Sequence, residues 1–139
     1  MDQLENPERN EIRSILQTAK TIAVVGLSDN PARTSHSVSK AMQDAGYKII
    51  PVNPMIDEAL GEKSLKSLKD IPDHVDIVNV FRRSEFLKDL AEEYLETDVP
   101  VFWTQLDVID EEVFSQLKSK GRQVIMDRCI KVEHSITQP

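Results

Sequence analysis

Apolar residues along this chain follow two periodicities in alternation. Five short runs, Thr21–Gly26, Tyr47–Val52, Val75–Phe81, Val99–Trp103 and Arg122–Met126, are rich in Val and Ile and almost continuous. Strands buried on both faces of a parallel sheet read this way, because neither face meets water. Between the runs, apolar positions recur at helical spacing. Ile12, Ile15, Leu16 and Ala19 fall at i, i+3, i+4 and i+7 and predict a leading helix within residues 1–20. Val38, Ala41, Met42 and Ala45 predict a second, stopped by Gly46. Leu87, Leu90, Ala91 and Tyr94 predict a third, with Ser84 as its N-cap. Asp110 caps a fourth that carries Val113 and Leu117 and ends at Gly121. The stretch Met55–Pro72 allows only a short helix around Leu65–Leu68, and Ile130–Pro139 is expected to be an extended surface tail.

This alternation implies a doubly wound α/β fold: about five parallel strands with helices on both faces. With 139 residues, no internal repeat and no linker, the chain is expected to form one domain, residues 1–139. A net charge of −7 argues against nucleic acid as the partner, since no basic face can neutralise many phosphates. One cysteine, Cys129, excludes an internal disulfide and an all-cysteine metal site. No stretch is long and apolar enough to span a membrane, and residues 1–10 are polar and acidic, unlike a signal peptide. A cytoplasmic protein is therefore expected.

In an open α/β sheet, ligands bind beyond the carboxyl ends of the strands, where strand order reverses. The residues following each run are the candidates. After the first come Gly26, Leu27, Ser28, Asp29, Pro31 and Arg33, with Thr34, Ser35, His36 and Ser37 at the start of the next helix. Backbone N–H groups at a helix start, with the positive end of the dipole behind them, hold phosphates. Gly26 permits close backbone approach, Ser28 offers a hydroxyl, Pro31 stiffens the loop, and His36 could hydrogen-bond a ligand oxygen. The later runs end at Asn53 and Pro54, at Arg82 and Arg83, at Gln105 and Asp107, and at Asp127, Arg128 and Cys129, with Lys131 beyond. Arg33, Arg82, Arg83, Arg128 and Lys131 thus gather at the expected mouth of an otherwise acidic protein, which favours a small anionic ligand. The turn holds one glycine, so the G-x-G-x-x-G dinucleotide fingerprint is absent. No acid stands at the end of the second run to hold a ribose.

These residues carry a resemblance. Gly26-Leu-Ser-Asp-Asn-Pro-Ala-Arg-Thr-Ser35 and Gly46-Tyr-Lys-Ile-Ile-Pro-Val-Asn-Pro54, with Leu60-Gly61, Ser67-Leu68, Ile71-Pro72, Val80-Phe-Arg-Arg-Ser-Glu85, Trp103-x-Gln-Leu106 and Met126-Asp-Arg-Cys-x-Lys-x-Glu-His134, are similar to the small single-domain CoA-binding proteins. Those resemble the nucleotide-binding domain of the succinyl-CoA synthetase α subunit. The resemblance covers almost the whole chain from Thr21. It implies a Rossmann-like domain that binds coenzyme A, with residues 28–35 facing the pyrophosphate. Asn53 and Pro54 would then line the adenosine side, and Phe81 and Arg82 would flank the ligand. It also accounts for the missing ribose acid, because a carboxylate there would repel the 3′-phosphate of CoA. Two positions depart from the family: Asp107 stands where relatives often carry Gly, and His36 where a tyrosine is common.

No catalytic residue can be named. The chain shows no nucleophile–base set, no P-loop lysine, and no metal spacing among His36, His74 and His134. Cys129 reads as a small apolar residue buried at a strand end; with Arg128 beside it and Lys131 near, it is alternatively a reactive thiol that could form a mixed disulfide with the CoA thiol. Phe102 and Trp103 read as buried sheet residues. The expected function is a non-catalytic protein that binds CoA or an acyl-CoA. The alternatives are an NAD(P)-dependent oxidoreductase and an acyl-CoA enzyme that needs a partner subunit. An edge strand or the tail could support a homodimer.

Overall fold

The β-branched runs form the strands, and the chain between them winds over both faces of the resulting sheet. A computed structural model describes residues 4–139; residues 1–3, the start of the expected leading segment, lie outside the described residues. In chain order the elements are α1 (Arg9–Thr18), β1 (Thr21–Val25), α2 (Thr34–Asp44), β2 (Lys48–Val52), β3 (Glu58–Ala59), β4 (Glu62–Lys63), β5 (Ile77–Val80), α3 (Leu87–Leu95), β6 (Val101–Thr104), α4 (Glu111–Ser119), β7 (Gln123–Ile125) and α5 (Ile130–Thr137).

The main sheet has five strands in the order β2-β1-β5-β6-β7. Every pairing in it is parallel, with Val25 level with Val52 on one side and Val80 on the other. Strand order reverses between β1 and β5. Alternate residues of β1 serve opposite cores: Ile22 and Val24 face α1, α2 and α5, whereas Ala23 and Val25 face α3 and α4. Phe102 and Trp103 are both fully buried, and the Trp103 indole N–H donates to the Arg128 carbonyl at 2.8 Å. This is the expected Rossmann-like α/β arrangement. No helix among the described residues is long and apolar enough to cross a membrane.

The helix stops work as their sequences imply. Asp110 accepts from the Val113 N–H at 3.0 Å, capping α4. At the other end Gly121, at φ +84°, lets the Arg122 N–H reach back to Leu117 and its own N–H to Lys118. Gly46 closes α2 in the same way, with Tyr47 bonding back to Met42.

Three expectations are corrected. Ser84 does not cap α3. It opens a short 3₁₀ turn over residues 84–86, and its hydroxyl accepts from the Ile109 N–H at 2.8 Å and donates to the Asp107 carbonyl at 3.3 Å. The stretch 55–72 holds no α-helix. It makes the β3–β4 hairpin, a parallel bridge from Leu65 to the outer edge of β2 at Val52, and a 3₁₀ turn at Leu68–Asp70. The tail is not extended: residues 130–137 form α5. Its inward face is Ile130, Glu133 and Thr137, so polar residues occupy the positions where an apolar pattern would announce a helix. Glu133 is tolerated there because Arg9 of α1 donates to its two carboxylate oxygens, each at 3.2 Å.

Candidate functional site

The loops after β1 and β5 leave the sheet on opposite sides of the reversal point and open a crevice between them. Its cavity of about 940 Å³ lies at the upper end of the roughly 300–1,000 Å³ usual for small-molecule sites. Four strand ends contribute. The β1–α2 loop brings Gly26, Ser28, Ala32 and Arg33, and the first turn of α2 brings Thr34 and Ser35. The loop after β5 brings Phe81, Arg82, Arg83, Ser84 and Phe86. The loop after β6 brings Gln105, Leu106, Asp107 and Val108, and Cys129 closes the far end before α5.

Gly26 is fixed by this geometry. It sits at φ +83°, and a Cβ placed on it would stand 2.2 Å from the Phe81 carbonyl oxygen. The backbones of the two loops therefore touch at the floor of the crevice. The β1–α2 loop is held by its own short side chains. Ser35 Oγ accepts from the Ser28 N–H, Ser28 Oγ from the Asn30 N–H, and Asn30 Oδ1 from the Ala32 N–H, each at 3.0 Å. These bonds shape the loop before any ligand arrives. The N–H groups of Thr34 and Ser35, in the first turn of α2, have no protein partner among the described residues. They face the crevice with the positive end of the helix dipole behind them.

Three arginines and one aspartate line the crevice, so its local charge is opposite to that of the whole chain. Arg82 lies over the Phe86 ring with its guanidinium carbon 4.9 Å from the centroid. That pair also borders a second hollow of about 290 Å³, walled by Val25, Val52, Pro54, Leu68 and Leu90 and edged by Lys66 and Asp89. Below the crevice, Gln105 is 5% exposed, and its amide N–H donates to Asn79 Oδ1 at 2.6 Å. Asp107 occupies the left-handed region at φ +68°, and its N–H donates to Asp127 Oδ1 at 2.7 Å. Aspartate is among the few residues besides glycine that enter that region readily.

Of the candidates, Gly26, Ser28, Arg33, Ser35, Phe81, Arg82, Gln105 and Cys129 come together on the crevice. Pro54 lines the adjoining hollow instead. Leu27 points into the core and is fully buried, and Asp29 and Pro31 project into solvent at the loop tip. His36 is half-buried on α2 and does not line the crevice. Asn53 does not line it either. Its side-chain amide donates to the Leu27 carbonyl at 3.0 Å, and its oxygen accepts from the Met55 N–H at 2.9 Å. It anchors the β1–α2 loop to the end of β2. Arg128 turns back to the Asp127 carbonyl, and Lys131 is an exposed residue of α5, so neither joins the mouth. Leu106, which follows the fourth run beside Gln105, lines the crevice as a residue just past a strand end should, whereas Phe86 and Val108 lie outside the candidates. Only the structure marks Phe86, which it leaves 43% exposed beside the crevice.

Similarity to known proteins agrees with this geometry. The family model described as a CoA binding domain matches residues 20–135. An uncharacterised Bacillus subtilis protein, YneT, is 65% identical over 135 residues, covering 97% of this chain and all of that one. The solved structure of a Thermus thermophilus protein (cell-free ID.343) superposes with a TM-score of 0.90 at 37% identity, covering 94% of this chain and 99% of that one. The α subunit of acetate–CoA ligase (ADP-forming) II from Pyrococcus furiosus is 37% identical over 68 residues, which span 48% of this chain but only 15% of the subunit. By its fold and by a match that runs through nearly every element of the sheet, this chain belongs to the CoA-binding domain family.

Proposed function

We propose that the chain binds coenzyme A, or an acyl-CoA, across the carboxyl ends of β1, β5 and β6, and that it does so without turning the ligand over. The observation that carries this reading is the crevice at the strand-order reversal. There, unpartnered N–H groups of α2 and the side chains of Arg33 and Arg82 converge within a chain whose net charge is −7. Those groups suit a pyrophosphate: the amides supply fixed donors and the arginines mobile charge. The hollow beside Pro54 suits the adenine, because Val25, Val52, Leu68 and Leu90 give it apolar faces, Ser67 and Asp89 give it polar edges, and it shares Arg82 with the crevice. The pantetheine arm then runs past Phe81 and Gln105 toward Cys129.

A non-catalytic role is favoured by the lining of the crevice. Among the described residues that line it there is one thiol and no histidine, and the Ser28, Ser35 and Ser84 hydroxyls are each engaged in shaping the loops. The Pyrococcus furiosus relative is named for joining acetate to CoA, and this chain matches a small part of it. That supports a shared task of holding CoA, with the ligase chemistry elsewhere. Thermal unfolding with CoA, acetyl-CoA, NAD and NADP tests the reading. A ligand that binds only the folded state raises stability by RT ln(1 + [L]/Kd), about 2.7 kcal/mol at a hundredfold excess over Kd. CoA or acetyl-CoA is expected to raise the midpoint. A rise with NAD alone would overturn the assignment.

A further inference from the structure

We infer that Lys66 reads the 3′-phosphate on the adenosine ribose, so that the chain distinguishes CoA from dephospho-CoA; this rests on the CoA reading above. In dinucleotide-binding sheets the ribose is read at the end of the second strand, by an acid for a free hydroxyl or a cation for a phosphate. Here that position is Asn53, and both ends of its amide are engaged within the protein. Pro54, next along the chain, carries no polar side-chain group, so a cation at this edge has to come from the following segment. The β3–β4 hairpin turns the chain back, and Leu65 then bridges alongside β2: its N–H donates to the Pro51 carbonyl at 2.9 Å, and its carbonyl accepts from the Asn53 N–H at 2.8 Å. These bonds pin the backbone directly before Lys66, which lines the adenine-sized hollow together with Pro54.

Charge supports the same assignment. Lys40, Lys69 and Lys88 are ion-paired with Asp44, Glu96 and Glu112. Lys66, like six other lysines, has no ion-pair partner among the described residues, and it is the one lysine that lines this hollow. Of the two carboxylates at this hollow, Glu93 already accepts from the Ser67 hydroxyl at 2.5 Å and the Leu68 N–H at 2.6 Å, and Asp89 is exposed on α3. An ammonium on the wall of a base-sized hollow, with the Arg82 guanidinium on the same wall, is a receptor for a phosphate on the attached sugar. The 2′-phosphate of NADP offers the same chemistry, so the test includes it.

Calorimetric titration of CoA, dephospho-CoA and NADP into wild type, Lys66→Ala, Lys66→Arg and Lys69→Ala decides the matter. Wild type is expected to bind CoA about tenfold more tightly than dephospho-CoA, a modest ratio for one screened, charge-assisted contact. Lys66→Ala should bring the ratio close to one, chiefly by weakening CoA. Lys66→Arg and Lys69→Ala should keep it. Added salt should shrink it in wild type. A ratio unchanged in Lys66→Ala overturns the role of Lys66 while leaving CoA binding intact. Tighter binding of NADP than of CoA overturns the 3′ assignment. Failure of wild type to bind either form of CoA overturns this inference together with the reading beneath it.

Discussion

Two glycines with the same backbone angle allow the contact at the crevice floor to be measured. Gly26 sits at φ +83° and Gly121 at φ +84°, so alanine meets the same left-handed penalty at either, roughly 1–2 kcal/mol. Their surroundings differ. A Cβ on Gly121 finds nothing within 4 Å, whereas one on Gly26 stands 2.2 Å from the Phe81 carbonyl oxygen and 3.2 Å from Arg82 Cδ. The arginine side chain can swing away; the carbonyl cannot do so freely. The Gly26 N–H is bonded to Val52 at 3.0 Å and the Phe81 N–H to Val25 at 2.9 Å, so separating the strands strains the ladder on both sides of β1. Forced displacement of packed structure adds about 1–3 kcal/mol. Gly26→Ala should therefore cost about 2–5 kcal/mol and Gly121→Ala about 1–2 kcal/mol. Urea unfolding followed by circular dichroism measures both, from the midpoint at constant m. Equal losses in the two variants would refute the claim that the β1 and β5 loops meet backbone to backbone at this point.

Further outcomes follow from the site and the core. Arg33→Ala and Arg82→Ala should each weaken CoA about three- to thirtyfold by calorimetry, the range for one charge-assisted contact near solvent, while Arg128→Ala should leave affinity unchanged. Asn53→Ala should release the β1–α2 loop, weakening CoA and lowering the unfolding free energy by about 1–3 kcal/mol, the usual worth of the two side-chain hydrogen bonds it removes. Burial pushes the Tyr94 phenol up to about 12, with the Arg122 guanidinium opposing the rise. The folded state thus holds this proton more tightly than the unfolded one. The stabilisation is fully present below the ordinary tyrosine range near pH 10 and is lost as pH climbs toward 12. Ultraviolet titration should show Tyr94 ionising late, and Tyr94→Phe should flatten the alkaline decline in stability.

The chain's own pattern determined the sheet, because strands buried on both faces must be continuously apolar and few other arrangements produce such runs. It also determined the helix stops at Gly46 and Gly121 and the cap at Asp110, which act through neighbouring backbone. Crevice residues such as Arg33, Phe81 and Arg82 were legible because a parallel sheet delivers the residue after each strand to one edge. Tertiary structure decided the rest. α5 was hidden because its buried face includes Glu133, acceptable only once Arg9 arrives from the far end of the chain. The β3–β4 turn was hidden because Leu60 adopts φ +54°, a conformation leucine seldom enters, and so lacks the usual asparagine or aspartate signal. Whether Asn53 faces a ligand or anchors a loop depends on the Leu27 carbonyl lying 3.0 Å away, in a loop 26 positions distant in sequence. Local spacing cannot encode which of two partners a polar side chain will find; only the packing of β1 against β2 makes that choice.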